Sequence, residues 1–142
     1  MNRTIQSRPP LRQKVQQFNA TRADELVGVK SQDIADGSTA AGVEVGVDIE
    51  ANLVISREAT TAPTIVGCDL TDPATPAIVR TFKRAASATQ VVTITLAQAI
   101  DGNTSYTLDD AGAALTIAPA GLSGDSPAWE VVSALGTVTA VP

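Results

Sequence analysis

Asp101, Asn103, Asp109 and Asp110 are the residues whose types and spacing come nearest to chemistry. Carboxylate and amide oxygens on neighbouring β-turns are the donors that calcium takes. They are also what tight turns ask for, because Asp, Asn and Gly tolerate positive φ and cap nearby backbone. The turn reading is the simpler one, with calcium as its alternative. Asp109 and Asp110 as the carboxylates of a small hydrolase would need a cleft and a perturbed pKa, and the sequence indicates neither. The chain has no histidine, which removes Ser-His-Asp catalysis and His-based metal sites. Cys68 is the only cysteine, so no intramolecular disulfide forms. It sits in an apolar run and reads as a small buried hydrophobe. No Gly-rich phosphate loop with its Lys and Ser/Thr is present. The expectation is a non-enzymatic protein with no cofactor and no metal.

Charge is the second source of function. Residues 1–30 carry six cations and two anions, a net of +4. Residues 31–142 carry four cations and thirteen anions, a net of −9. A basic N-terminal arm (1–30) on an acidic β-domain (31–142) implies two surfaces with different partners. Arg3, Arg8, Arg12 and Lys14, with Leu11, Val15 and Phe18, are the candidate contact residues of the arm. Only Phe18 supplies an aromatic there, so an acidic protein surface suits it better than specific nucleic acid. Trp129, in "SPAWEVVS", and Tyr106 are candidate core or oligomer anchors. A sugar-stacking role for Trp129 is the alternative.

These residues need elements to position them. Pro9-Pro10 can open a helix, and Leu11, Val15 and Phe18 then fall on one of its faces. Such a short amphipathic helix is marginal alone and needs a surface to lie on. Beyond Val27 the pattern changes to period two: Val43, Val45, Val47 and Ile49 alternate with Gly and acidic residues, which predicts a half-buried strand. Further strands are expected at Leu53–Ser56, Thr64–Leu70, Val91–Leu96, Ser105–Leu108 and Ala114–Ala118. Turns are expected at Ala35–Thr39, Ile100–Thr104 and Asp109–Gly112. Ala77–Lys83 favours strand, although Thr71-Asp72-Pro73 could cap a short helix over the 71–88 segment. Ala128–Ser133 and Thr137–Val141 are expected to close the domain as a hairpin around Leu135-Gly136. Strands at this spacing predict a mainly β fold, an antiparallel sandwich or barrel. Its core is thin, because Ala makes up much of the 44% hydrophobic share, and thin cores gain from association. The N-terminus has no apolar run like a signal peptide, and no stretch nears the roughly 20 apolar residues that span a membrane. The expectation is a soluble chain made in a cytoplasm.

The C-terminal third carries a resemblance. Thr93–Leu96 ("TITL"), Tyr106–Leu108 ("YTL"), Asp110–Gly112 ("DAG"), Leu115–Ile117 ("LTI") and Trp129–Ser133 ("WEVVS") resemble a pattern in tailed-bacteriophage virion proteins. It covers roughly residues 90–140. Such modules occur in head decoration proteins, head fibres and tail fibres, commonly as trimers. With the arm, the plan is similar to a capsid decoration (cement) protein. The resemblance implies a virion location, a homo-oligomer with a trimer favoured, and the major capsid protein or neighbouring virion subunits as partners. A tail or head-fibre tip protein that binds a host receptor or glycan is the alternative. No coiled-coil or collagen-like shaft is present, which argues against a full-length fibre.

Overall fold

The computed structural model describes residues 30–37, 44–46, 51–124 and 126–142. The chain divides into two units, Met1–Lys30 and Ser31–Pro142, and all ten strands lie in the second. The expected helix over Leu11–Phe18 lies outside the described residues. So do Arg3, Arg8, Arg12, Lys14, Val43, Val47 and Ile49.

The described residues form strands and turns: β1 (Ser31–Ile34), β2 (Glu44–Gly46), β3 (Leu53–Ser56), β4 (Thr64–Val66), β5 (Arg80–Arg84), β6 (Val92–Ile94), β7 (Ser105–Leu108), β8 (Ala114–Ala120), β9 (Ala128–Leu135) and β10 (Val138–Val141). No helix occurs among them. Residues 70–75 are turns instead. The Asp69 carboxylate accepts the Thr71 N–H at 2.9 Å and its hydroxyl at 2.7 Å, and Asp72 accepts the Ala74 N–H at 2.9 Å. Asp side chains that satisfy the backbone locally in this way compete with a helical turn. The strand expected over Thr64–Leu70 ends at Val66, because Gly67 and Cys68 take φ of 109° and 54°, which no ladder accommodates.

The strands form two five-stranded sheets packed face to face, a mainly β sandwich. One has the order β1-β3-β5-β8-β9, the other β10-β7-β6-β4-β2. From β1 to β6 the chain alternates between sheets, so each strand pairs with the one two places on. Those four pairings are parallel: β1–β3, β3–β5, β2–β4 and β4–β6. The expected all-antiparallel arrangement therefore holds only for the later strands: β5–β8, β6–β7, β7–β10 and β8–β9. Strands that cross to the opposite sheet at every step return in the same direction, and spacing along the sequence does not report that crossing. The strands β1 to β6 thus form a flattened coil of stacked rungs, Val54 beside Phe82 and Ile65 beside Ile94. These four side chains are buried.

The expected terminal hairpin does not form. β9 pairs with β8 in one sheet and β10 with β7 in the other, so Gly136 at φ 74° carries the chain between layers. Polar tethers draw β10 to β7. Asp110 accepts the Thr137 N–H at 3.2 Å and the Thr137 hydroxyl, and Asp109 accepts the Thr139 hydroxyl. The Ile100–Asn103 turn does form as expected. Asp101 and Gly102 take φ of 47° and 76°, and the Ile100 and Asn103 amides each donate to the other's carbonyl at 3.0 and 2.8 Å. Two successive positive φ values make the turn whose twist suits a hairpin, and β6 and β7 pair across it.

The core lies between the sheets. Val54, Phe82, Leu115, Ile117 and Trp129 come from one layer, and Ile65, Val92, Ile94, Tyr106 and Leu108 from the other.

Candidate interaction surface

β5 shows what the fold does with charge. Its burial alternates, so Arg80, Phe82 and Arg84 share the inward face. Arg80 is fully buried and donates to the carbonyls of Ala51 and Pro76, the latter at 3.2 Å. Arg84 donates to the carbonyls of Ala88, Leu108 and Asp109. Burying a cation is costly unless its donors are satisfied. Here Arg84 joins β5 to the β7–β8 turn, and Arg80 joins it to the segment before β3 and to the β4–β5 connection. Glu58, also fully buried, accepts the Gly37 N–H at 3.1 Å, and its own carbonyl accepts from Thr89 and Gln90. None of these three was a candidate from the sequence. The one available signal was the parity that Arg80 and Arg84 share with Phe82.

The acidic turn residues are likewise occupied. Asp101 accepts the Val131 N–H at 3.3 Å, while Asp109 and Asp110 hold Thr139 and Thr137. Asn103 donates to the Tyr106 hydroxyl at 3.2 Å. Among the described residues no group of three or more His, Cys, Asp or Glu could hold a metal ion. Asp36 and Asp69 are held below the usual carboxylate range by hydrogen bonds. For Asp36 the foremost is from the Ala59 N–H, and for Asp69 from the Thr71 hydroxyl. Burial pushes the Cys68 thiol up, opposed by the nearby Arg80 charge. A raised thiol pKa leaves less thiolate, the opposite of what a nucleophile needs.

Tyr106 and Trp129 both sit in the core, at 9% and 0% exposure. Trp129 lies at the start of β9, where its backbone N–H donates to the Ala99 carbonyl and its carbonyl accepts the Asp101 N–H. The 99–101 segment thereby covers the outer edge of β9 at that point. Phe82 is buried too, so every aromatic side chain among the described residues is internal.

Each sheet ends in two edge strands, β1 and β9 in one and β10 and β2 in the other, and the far half of β9 and most of β10 are exposed. A β-bulge, where the β8–β9 register shifts between Thr116 and Ile117, leaves Val132 as the extra residue of β9. From there to Leu135 no strand flanks β9 on its outer side among the described residues, and none flanks β10 beyond β7. Val132, Leu135 and Val141 are 61%, 65% and 40% exposed. Residues 131–142, "VVSALGTVTAVP", contain no charged side chain. Monomeric proteins blunt open strand edges with Lys, Pro or inward charges, and this strip has only the terminal Pro142. A sheet edge of this kind binds by adding a strand.

The chain matches no protein-family model, no curated protein and no solved structure.

Proposed function

We propose that this chain is a non-enzymatic structural protein of a virus particle, a decoration protein that binds and stiffens the head shell. The observation that carries the reading is the division of labour in the β-domain. Its buried Arg80, Arg84 and Glu58 and its turn carboxylates are engaged in holding the sandwich together. Among its accessible features are the edge of β9 beyond Glu130 and the edge of β10, which carry no charged side chain and suit assembly rather than turnover. The resemblance over residues 90–140 supplies the virion setting and favours three copies.

In this reading the basic residues Arg3, Arg8, Arg12 and Lys14, with Leu11, Val15 and Phe18, dock on the major capsid protein or a neighbouring subunit. A receptor- or glycan-binding tip is the weaker reading, since sugar stacking needs an exposed aromatic and Phe82, Tyr106 and Trp129 are buried. Co-sedimentation with purified, undecorated heads tests the proposal. The intact chain should pellet with heads at saturating stoichiometry, and a chain lacking residues 1–30 should not. Equal decoration by both chains removes the docking role of the arm, and decoration by neither removes the proposal.

A further inference from the structure

We propose that the open edges of β9 and β10 form a self-association surface, on which a second copy of this chain seats the same two edges in antiparallel fashion. Three observations converge on that occupant. First, both sheets end on the same side of the sandwich, and among the described residues no strand covers β9 from Val132 or β10 along its length. Unpaired backbone donors and acceptors there are completed by a strand from another chain. Second, three of the five large apolar side chains on the strip, Val132, Leu135 and Val141, are well exposed, while Val131 and Val138 pack against the core. Burial of the three exposed side chains between copies supplies the apolar core that an interface needs.

Third, charge selects the partner. The unit from residue 31 onward carries a net −9, so two copies repel over most of their surface. Residues 131–142 carry no charged side chain of their own, and the carboxylates that border them, Asp109 and Asp110, are already engaged by Thr139 and Thr137. The nearest carboxylate on β9, Glu130, lies before the bulge and outside the strip. A strand edge meeting its own copy about a two-fold axis is self-complementary by symmetry and closes at two. The assembly unit is therefore a dimer, against the three copies that the resemblance favours. The strip supplies about a dozen residues per copy, fewer than the roughly 20–30 a side of a standard interface, so association depends on concentration. The inference does not rest on the virion setting: a dimer that fails to bind heads would end that reading and leave this one standing.

Sedimentation equilibrium on the full chain tests it. Between about 1 and 100 µM, a range that brackets weak complexes, the mass should rise from one chain to two. Added salt should strengthen the dimer, because it screens the repulsion between acidic bodies. Val132→Glu with Leu135→Glu should weaken association at least tenfold and leave the circular dichroism melt in place. Val79→Glu, at an equally accessible apolar residue elsewhere (50% exposed), should change nothing. Hydrogen exchange reads the same surface without a variant: amides of 132–135 and 138–141 should gain tenfold protection or more as concentration rises. A single-chain mass throughout, a mass of three, a double variant that still dimerises, or unchanged protection of those amides overturns the proposal.

Discussion

Trp129→Ala separates a core residue from a ligand platform more sharply than any other substitution. The side chain is fully buried at the start of β9. An indole removes about 200 Å² from water, and at about 25 cal/mol per Å² that is about 5 kcal/mol. A realistic unfolded reference already buries part of this area, which lowers the figure to about 3–4 kcal/mol. Measured truncations of buried aromatics fall in the range of about 3–5 kcal/mol. The whole domain is worth about 5–15 kcal/mol, so the variant should be marginally folded at room temperature. Trp129→Phe supplies the contrast. The indole Nε1 has no hydrogen-bond partner among the described residues, so Phe forfeits only packing and should cost about 1–2 kcal/mol. Urea titrations followed by circular dichroism measure both. As the only tryptophan, Trp129 also reports on itself, and native emission should be blue-shifted until the transition. A loss below about 1 kcal/mol for the Ala variant, or native emission typical of indole in water, would refute the core assignment.

Acid stability should depend on Asp36 and Asp69. Both carboxyls are held below their ordinary value of 3.8 by hydrogen bonds made in the folded chain. A lowered folded-state pKa stabilises fully above that value, and the contribution is lost as pH falls through the lower folded-state values. Asp36→Asn with Asp69→Asn should flatten the acid limb of a stability–pH curve, and an unchanged limb would remove the assignment. Two glycines should differ in cost when replaced by Ala. At Gly102, φ is +76° and an added Cβ meets nothing within 4 Å, so only backbone strain of about 1 kcal/mol applies. At Gly136, φ is +74° and the added Cβ lies 3.2 Å from Ala113 Cα, so Gly136→Ala should cost about 2 kcal/mol or more. Thermal melts decide this, and equal losses would mean that the crossover at Gly136 is looser than described.

The sequence made local structure legible where local physics dominates. Leu53–Ser56 and Ser105–Leu108 are strands with the expected bounds, because branched and aromatic residues there stand between turn signals. Asp101-Gly102 forms its turn because both residues accept positive φ. What the sequence hid is non-local. β1 has the sequence "SQDI", with a single branched residue, and it exists because β3 offers it a parallel edge. The alternation between layers has no local signature, so the parallel pairing and the crossover at Gly136 both contradict expectation. Arg80 and Arg84 carry no local signal of burial beyond the parity they share with Phe82. They are buried because Phe82 between them fixes the face of β5 and backbone carbonyls await their donors. The strip from 131 to 142 has no charged side chain, but its meaning depends on β9 and β10 being edges.

The stacked coil also sets where this molecule accepts foreign sequence. Paired positions on successive strands are 22 and then 28 residues apart in one sheet (Ser31, Leu53, Thr81). In the other they are 20 and then 29 apart (Glu44, Thr64, Thr93). Both larger steps contain the connection between β4 and β5, so the excess is accommodated there without disturbing the rungs. That connection closes on itself through Asp69 and Asp72 and is tied to the β6–β7 connection through Gln98, and its tip from Thr71 to Ala74 is exposed. Doubling the length of a flexible loop costs only about 0.6 kcal/mol. A peptide grafted between Pro73 and Ala74 should therefore be displayed to solvent at little expense to the scaffold, far along the chain from the strip at 131–142.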